Sequence, residues 1–225
     1  MIRWVASYPR SGNALFRTSL TRFCGLRSAT VYNEKGDAAL PLPRVDNRPI
    51  ELLRDLKSAV AVKTHDLEHA NEPAPAVYIV RDGRDVVVSY AHFLRRMDRV
   101  NPELGLEETM EMVIEGKLGF GSWSKHVAVW TSRRAPTYMV RFEELVADPA
   151  TVVREAAREM GMLVPPLNGS SRPPDFERER AKRPKLIRRG VVGSWRSEMP
   201  AELEQRFWQL HGDRMLALGY ERLTT

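Results

Sequence analysis

The sequence predicts an α/β fold of three layers, a central parallel sheet with helices on both faces, and three observations point that way. The short apolar runs Ile2–Ser7, Ala59–Val62 and Val77–Val80 are compact enough to be buried strands. Each gives way to polar residues that suit a strand end: Tyr8-Pro9-Arg10, Lys63-Thr64-His65 and Arg81-Asp82. Segments with apolar residues at helical spacing alternate with these runs, which is the pattern of a doubly wound sheet.

Taken in order, Ile2–Ser7 is a buried strand, and Phe16, Leu20 and Phe23 mark a helix after the turn that follows it. Residues 33–49, rich in Pro, Asp, Asn and Gly, read as a surface loop, and Ile50–Leu56 as a short helix. The runs at 59–62 and 77–80 are central strands. After Arg81, Asp82 and Asp85 resemble a capping arrangement, and Val86, Tyr90 and Phe93 continue as a helix in spite of three consecutive valines. Residues 98–121 form an irregular insertion with one helix from Leu106 to Ile114, and Trp123, Val127 and Trp130 define a core-facing helix. Tyr138–Phe142 is a fourth strand. Asp148-Pro149 then supplies an N-cap and a proline at the first helical position, with Gly161 as the stop. Leu203, Phe207 and Leu210 belong to a C-terminal helix that starts near Pro200.

At 225 residues with 43% hydrophobic content, the chain suits one domain, 1–225. A single cysteine, Cys24, excludes an intramolecular disulfide framework and suits the cytoplasm. Strand-like sequence from Ile2 leaves no room for a signal peptide, and no apolar run approaches the roughly 20 residues of a membrane span.

The net charge is +6. Residues 165–196 hold nine Lys/Arg against three acids, an excess equal to the charge of the whole chain. Such a segment could meet nucleic acid, a membrane surface or a small polyanion. Paired prolines, Gly-Ser-Ser and alternating charge make 165–190 an exposed, mobile segment.

The turn Tyr8-Pro9-Arg10-Ser11-Gly12-Asn13 between the first strand and helix has the makings of an anion cradle, because a helix start leaves backbone N–H groups unpaired and partially positive. Pro9 fixes one φ, Gly12 allows close approach, Ser11 and Asn13 are small and polar, and Arg10 adds a cation. Ordinary loop chemistry would favour some of the same residues. Walker A spacing is missing, so this is not a standard nucleoside-triphosphate loop.

Four separated pieces resemble one family, the soluble sulfotransferases that use 3′-phosphoadenosine 5′-phosphosulfate (PAPS). Tyr8–Asn13 resembles that family's 5′-phosphosulfate loop, usually Tyr-Pro-Lys-Ser-Gly-Thr, and Lys63-Thr64-His65 resembles the segment carrying its catalytic histidine. Val80–Tyr90 resembles the 3′-phosphate element, with Arg81 and Ser89 at the family's separation of eight. Arg188-Arg189-Gly190-Val191-Val192-Gly193-Ser194-Trp195 resembles the signature Arg-Lys-Gly-x-x-Gly-x-Trp.

The resemblance implies a P-loop-NTPase-like sulfotransferase fold, PAPS as donor, no metal, and in-line transfer of sulfonate to the hydroxyl or amine of a small acceptor. His65 would be the general base, since an imidazole near its ordinary pKa can take a proton at neutral pH. Arg10 and Lys63 would stabilise the leaving 5′-phosphate, with Ser89 modulating the loop cation. Arg10, Ser11, Gly12, Asn13, Ala14 and Leu15 would hold one end of the donor, and Arg81, Ser89, Arg188, Arg189 and Gly190 the 3′-phosphate. Segment 165–190 would then lie over the donor site. Phe142 either contacts adenine or packs in the core.

The sequence also departs from the family. Arg10 replaces its lysine, Leu15 its tryptophan, and Arg196–Glu202 lacks its Lys…Thr-Val…Glu dimerisation pattern, which leaves the oligomeric state open. The other histidines, His69, His92, His126 and His211, lack comparable context, and no metal-ligand spacing emerges. Two other readings stand beside this one. A small-molecule kinase on a related fold lacks the Walker A residues, and a basic nucleic-acid-binding module lacks interleaved aromatics in the basic run apart from Phe176 and Trp195.

Overall fold

The computed structural model describes residues 1–32, 50–166 and 191–222. The loop expected over 33–49 and nearly all of the segment expected over 165–190, including Arg188, Arg189 and Gly190, lie outside the described residues.

In chain order the elements are β1 (Ile2–Ser7), α1 (Asn13–Cys24), β2 (Ser28–Thr30), α2 (Ile50–Arg54), β3 (Val60–Thr64), β4 (Ala76–Val80), α3 (Gly83–Arg96), α4 (Leu106–Ile114), α5 (Trp123–Thr131), β5 (Thr137–Arg141), α6 (Phe142–Ala147), α7 (Pro149–Glu159) and α8 (Ala201–Ala217). Five strands pair in parallel in the order β2-β3-β1-β4-β5. β1 is central, with Trp4 opposite Val62 on one side and Ala76 on the other. Because all strands run one way, their carboxyl ends share one edge, and Tyr8, His65, Arg81 and Phe142 each follow one of them.

Both sheet faces are covered, so the strands are apolar on both sides. Val5, Val77 and Ile79 pack with Phe16 and Leu20 of α1 and Val153 and Ala157 of α7. On the opposite face Trp4 and Tyr78 pack with Val87 of α3, Trp123 and Trp130 of α5 and Phe207 of α8. Burial of each such side chain contributes about 1.5–3 kcal/mol, enough to override the poor helix propensity of Val86-Val87-Val88, all of which are buried.

One strand carries no sequence signal, and two local expectations are corrected. Ser28–Thr30 is a strand: Ser-Ala-Thr has no apolar run to signal it, and pairing with Ala61–Lys63 of β3 holds it. Phe142 does not end β5 but opens α6. Asp82 and Asp85 do not form a reciprocal cap. Asp82 caps α3 by accepting from Arg84 N–H at 2.9 Å, but its own N–H donates to Glu143 Oε1 at 3.2 Å, which frees Asp85 for other partners. The caps of α7 are as read: Asp148 accepts from Thr151 N–H at 3.1 Å, Pro149 is the first residue, and Gly161 takes φ 66° just past the end. Leu210 faces outward from α8, whose buried face is Phe207, Trp208, His211 and Met215.

Candidate active site

The turn between β1 and α1 is tightly constrained. Ser11 N–H donates to the Tyr8 carbonyl at 3.3 Å, Arg10 sits at φ 69° and Gly12 at φ 105°. A β-carbon on Gly12 would lie 2.5 Å from Phe142 Cδ2, so glycine is required by both backbone angle and space. Asn13 ties the helix start to the strand, its Nδ2 donating to the Val5 carbonyl at 2.9 Å. Gly12 offers α1 no side-chain cap, which leaves the N–H groups of the first turn, Asn13, Ala14 and Leu15, facing the strand ends.

Three buried polar atoms around this turn have no hydrogen-bond partner among the described residues: Ser11 Oγ, Asn13 Oδ1 and Arg81 Nε. Buried polar groups are ordinarily satisfied, so the two of these atoms that can donate, Ser11 Oγ and Arg81 Nε, set beside a helix start, fit an anionic ligand. Arg10 and Arg81 flank the turn. Arg10 Nε donates to Ser89 Oγ on α3 at 3.3 Å, and its guanidinium lies 4.9 Å from the Phe93 ring centroid. The Arg81 guanidinium donates to the carbonyls of Arg10 at 3.3 Å and Val191 at 3.0 Å, and stacks 4.2 Å from the centroid of Phe142. Burial pulls Arg81 below the ordinary arginine pKa, opposed chiefly by the carboxylate of Asp85.

Phe142 is thus buried beneath Gly12 and Arg81 and forms a floor for both. The sequence left its role open between adenine and core; these contacts are packing contacts.

His65 follows β3. Its Nδ1 lies 2.7 Å from the Ser7 carbonyl oxygen, which can only accept, so Nδ1 carries the proton and Nε2 keeps its lone pair. The ring is half-buried, stacked on Tyr32 with centroids 5.8 Å apart and edge-on to Phe120 at 5.7 Å. Burial, followed by the charge of Lys63, holds the imidazole well below the ordinary histidine pKa, so it is neutral at pH 7. Lys63 itself lies with Nζ 5.3 Å from the Tyr32 ring centroid. The fold therefore gathers Arg10, Ser11, Gly12, Asn13, Ser89, Arg81 and Phe142 in one group and sets His65 beside it through Ser7, with Lys63 on the Tyr32 side.

Several contributors carry no sequence signal of their own. His126 of α5 donates from Nε2 to the His65 carbonyl at 2.8 Å, and its Nδ1 accepts from the Tyr78 hydroxyl at 2.9 Å; desolvation lowers its pKa to about 4. Tyr8 donates to the Gly121 carbonyl at 2.9 Å, which holds the Phe120 loop over His65. Asp85, wholly buried, accepts from Gly193 N–H at 2.7 Å, Trp195 N–H at 3.0 Å and Ser194 Oγ at 3.1 Å, and its Oδ2 lies 3.4 Å from Arg81. It anchors the chain on the far side of Gly190 next to Arg81. Its spacing of four from Arg81 was the only hint.

Asp66, Glu68 and His69 bring their ligand atoms within 4.8 Å of one another, a grouping that ligand spacing in the sequence did not reveal. His69 there is engaged by Glu72 at 3.1 Å and stacks on Trp4.

The chain and its fold are similar to those of known proteins. The family model described as "Sulfotransferase domain" matches residues 3–219. The chain is 27% identical to Sulfotransferase 1B1 of Mus musculus, over 98% of this chain and 84% of that protein. It is 26% identical to Sulfotransferase 4A1 of Mus musculus over 71% of this chain and 59% of the relative. Among solved structures, mouse sulfotransferase SULT7A1 complexed with PAP superposes with a TM-score of 0.72 at 21% identity, covering 96% of this chain and 84% of that one. Retinol dehydratase in complex with androsterone and inactive cofactor PAP gives 0.70 at 21% identity, over 95% and 80%. No helix among the described residues is long and apolar enough to cross a membrane.

Proposed function

This chain belongs to the sulfotransferase domain family, and from that premise we propose that it transfers the sulfonate group of PAPS to the hydroxyl or amine of a small acceptor. The observation that carries this reading is the pairing of a neutral imidazole, its Nδ1 on Ser7 and its Nε2 lone pair available, with an anion cradle in which the buried donors Ser11 Oγ and Arg81 Nε have no hydrogen-bond partner among the described residues. Relatives crystallised with PAP support the choice of donor.

In this mechanism Arg10 and the α1 N–H groups hold the 5′-phosphosulfate, while Arg81 and Ser89 hold the 3′-phosphate. Arg188, Arg189 and Gly190, outside the described residues, are assigned there by their motif. The acceptor oxygen or nitrogen forms a bond to sulfur as the bond from sulfur to the bridging 5′-phosphate oxygen breaks. The acceptor proton passes to His65 Nε2, and the electron pair stays on the phosphate. General-base help of this kind is worth about 10²–10⁴-fold in rate. Arg10, assisted by Lys63, stabilises the charge that grows on the leaving oxygen. A guanidinium does this by its planar fork and fixed charge and scarcely donates a proton.

Incubation with PAPS labelled in the sulfonate and a panel of alcohols, phenols and amines, without added metal, tests the reading by mass spectrometry. A sulfonated acceptor and stoichiometric PAP are expected. In parallel incubations with ATP and Mg²⁺, phosphoryl transfer with no transfer from PAPS would establish a kinase instead, and tight, steeply salt-dependent binding of oligonucleotides without transfer a nucleic-acid module.

A further inference from the structure

The ladder between β2 and β3 runs out beside His65. Its last described bond is Val31 N–H to the Lys63 carbonyl at 3.2 Å, and with Thr30 opposite Lys63 the next donor in parallel register is His65 N–H, whose regular acceptor would be the Val31 carbonyl. A side chain takes that donor instead: His65 N–H donates to the Tyr32 hydroxyl at 2.6 Å. The same hydroxyl makes side-chain contacts with Thr64 and Asp66, and Asp66 N–H is held by Thr64 Oγ1 at 3.0 Å. Tyr32 also stacks on the imidazole, 24° from parallel, and carries Lys63 Nζ over its ring.

Lys63 lies in β3 and His65 directly after its end, and both side chains meet the Tyr32 ring. One tyrosine thus touches all three residues of the Lys-Thr-His segment and fastens the backbone of the last. His126 holds the His65 carbonyl at 2.8 Å and Tyr32 its N–H, so the base is clamped on both of its peptide groups while its ring is fixed through Nδ1 on Ser7.

We propose that Tyr32 is a positioning residue for the catalytic base, its hydroxyl substituting for the missing strand bond so that His65 is held at the sheet edge with Nε2 aimed into the site. This rests on the reading of His65 as the base. Tyr32 transfers no proton to substrate; it sets where the base sits and shields one face of its ring from water.

The test uses the full chain with Tyr32→Phe, which keeps the ring and removes the hydroxyl, and Tyr32→Leu, which removes both. Amide hydrogen exchange and imidazole titration are followed by NMR alongside PAP affinity and PAPS turnover. In Tyr32→Phe the His65 amide is expected to exchange about tenfold faster or more, with the amides of β1 unchanged and the PAP dissociation constant within about twofold of wild type. kcat for sulfonate transfer is expected to fall about tenfold, since a base displaced by a fraction of an ångström loses its alignment. Tyr32→Leu is expected to lower kcat further and to move the His65 titration upward as water reaches the ring. An unchanged His65 amide, or faster exchange with kcat undiminished, overturns the proposal. If wild type transfers no sulfonate, the functional reading has failed, and the exchange and titration arms still decide whether Tyr32 holds His65.

Discussion

Arg10 Nε lies 3.3 Å from Ser89 Oγ, a contact that joins the β1–α1 turn to the middle of α3, and Arg10 makes it from a left-handed backbone at φ 69°. A non-glycine residue at positive φ costs on the order of 1 kcal/mol, and strain of this kind persists where the side chain is needed. Arg10→Gly is therefore expected to melt no lower than wild type while PAP binding weakens about tenfold or more, the value of one charge-assisted contact. Calorimetry of PAP binding beside thermal melting checks both halves; a drop in melting temperature with unaltered PAP affinity would contradict the assignment. Arg10→Lys should lower kcat through loss of the fork, and a rise would show that proton donation to the leaving oxygen matters more.

Gly12→Ala forces a methyl group to 2.5 Å from the Phe142 ring at φ 105°. A destabilisation of about 1–3 kcal/mol and loss of PAP binding are expected, read by denaturant melts and titration. Adding Phe142→Leu should recover part of the stability, because space is returned, but not the backbone strain.

Asp85→Asn removes the counter-charge of buried Arg81 and one of the oxygens that receive Gly193, Ser194 and Trp195. Breaking a buried ion pair costs on the order of 3–5 kcal/mol, so the variant should melt markedly lower. Addition of PAP should restore more stability to it than to wild type if Arg81 then finds its partner in the 3′-phosphate. Equal PAP stabilisation of the two proteins would argue that Asp85 acts on the fold alone.

His65→Ala is expected to abolish sulfonate transfer and leave PAP affinity within about threefold, since the residue acts on the acceptor proton. In wild type, kcat/KM should rise with pH through a midpoint below the ordinary histidine value and stay level across neutrality, because burial and Lys63 keep the imidazole neutral. A midpoint above 7 would exclude this histidine as the titrating base.

Stability follows pH through the same groups. His126, lowered to about 4, and His65, also lowered, bind protons more weakly folded than unfolded. Their contribution is complete above the unfolded value near 6.5 and is lost as pH falls toward 4, so the melting temperature should decline over that window. A flat profile there would contradict the lowered proton affinity of both rings in the folded protein.

By itself the sequence determined the alternation of buried runs and amphipathic helices, the strand ends that carry Arg10, His65 and Arg81, and the caps at Asp82 and Asp148. These are local properties, written in periodicity and in turn residues within a few positions of one another. Tertiary structure decided the rest. β2 exists through its pairing with β3, Asp85 serves a segment 108 residues away, Phe142 is a floor for Gly12 and Arg81, and Tyr32 reaches across 33 residues to His65. No periodicity records such contacts, because the order in which strands line up in the sheet chooses which distant side chains meet.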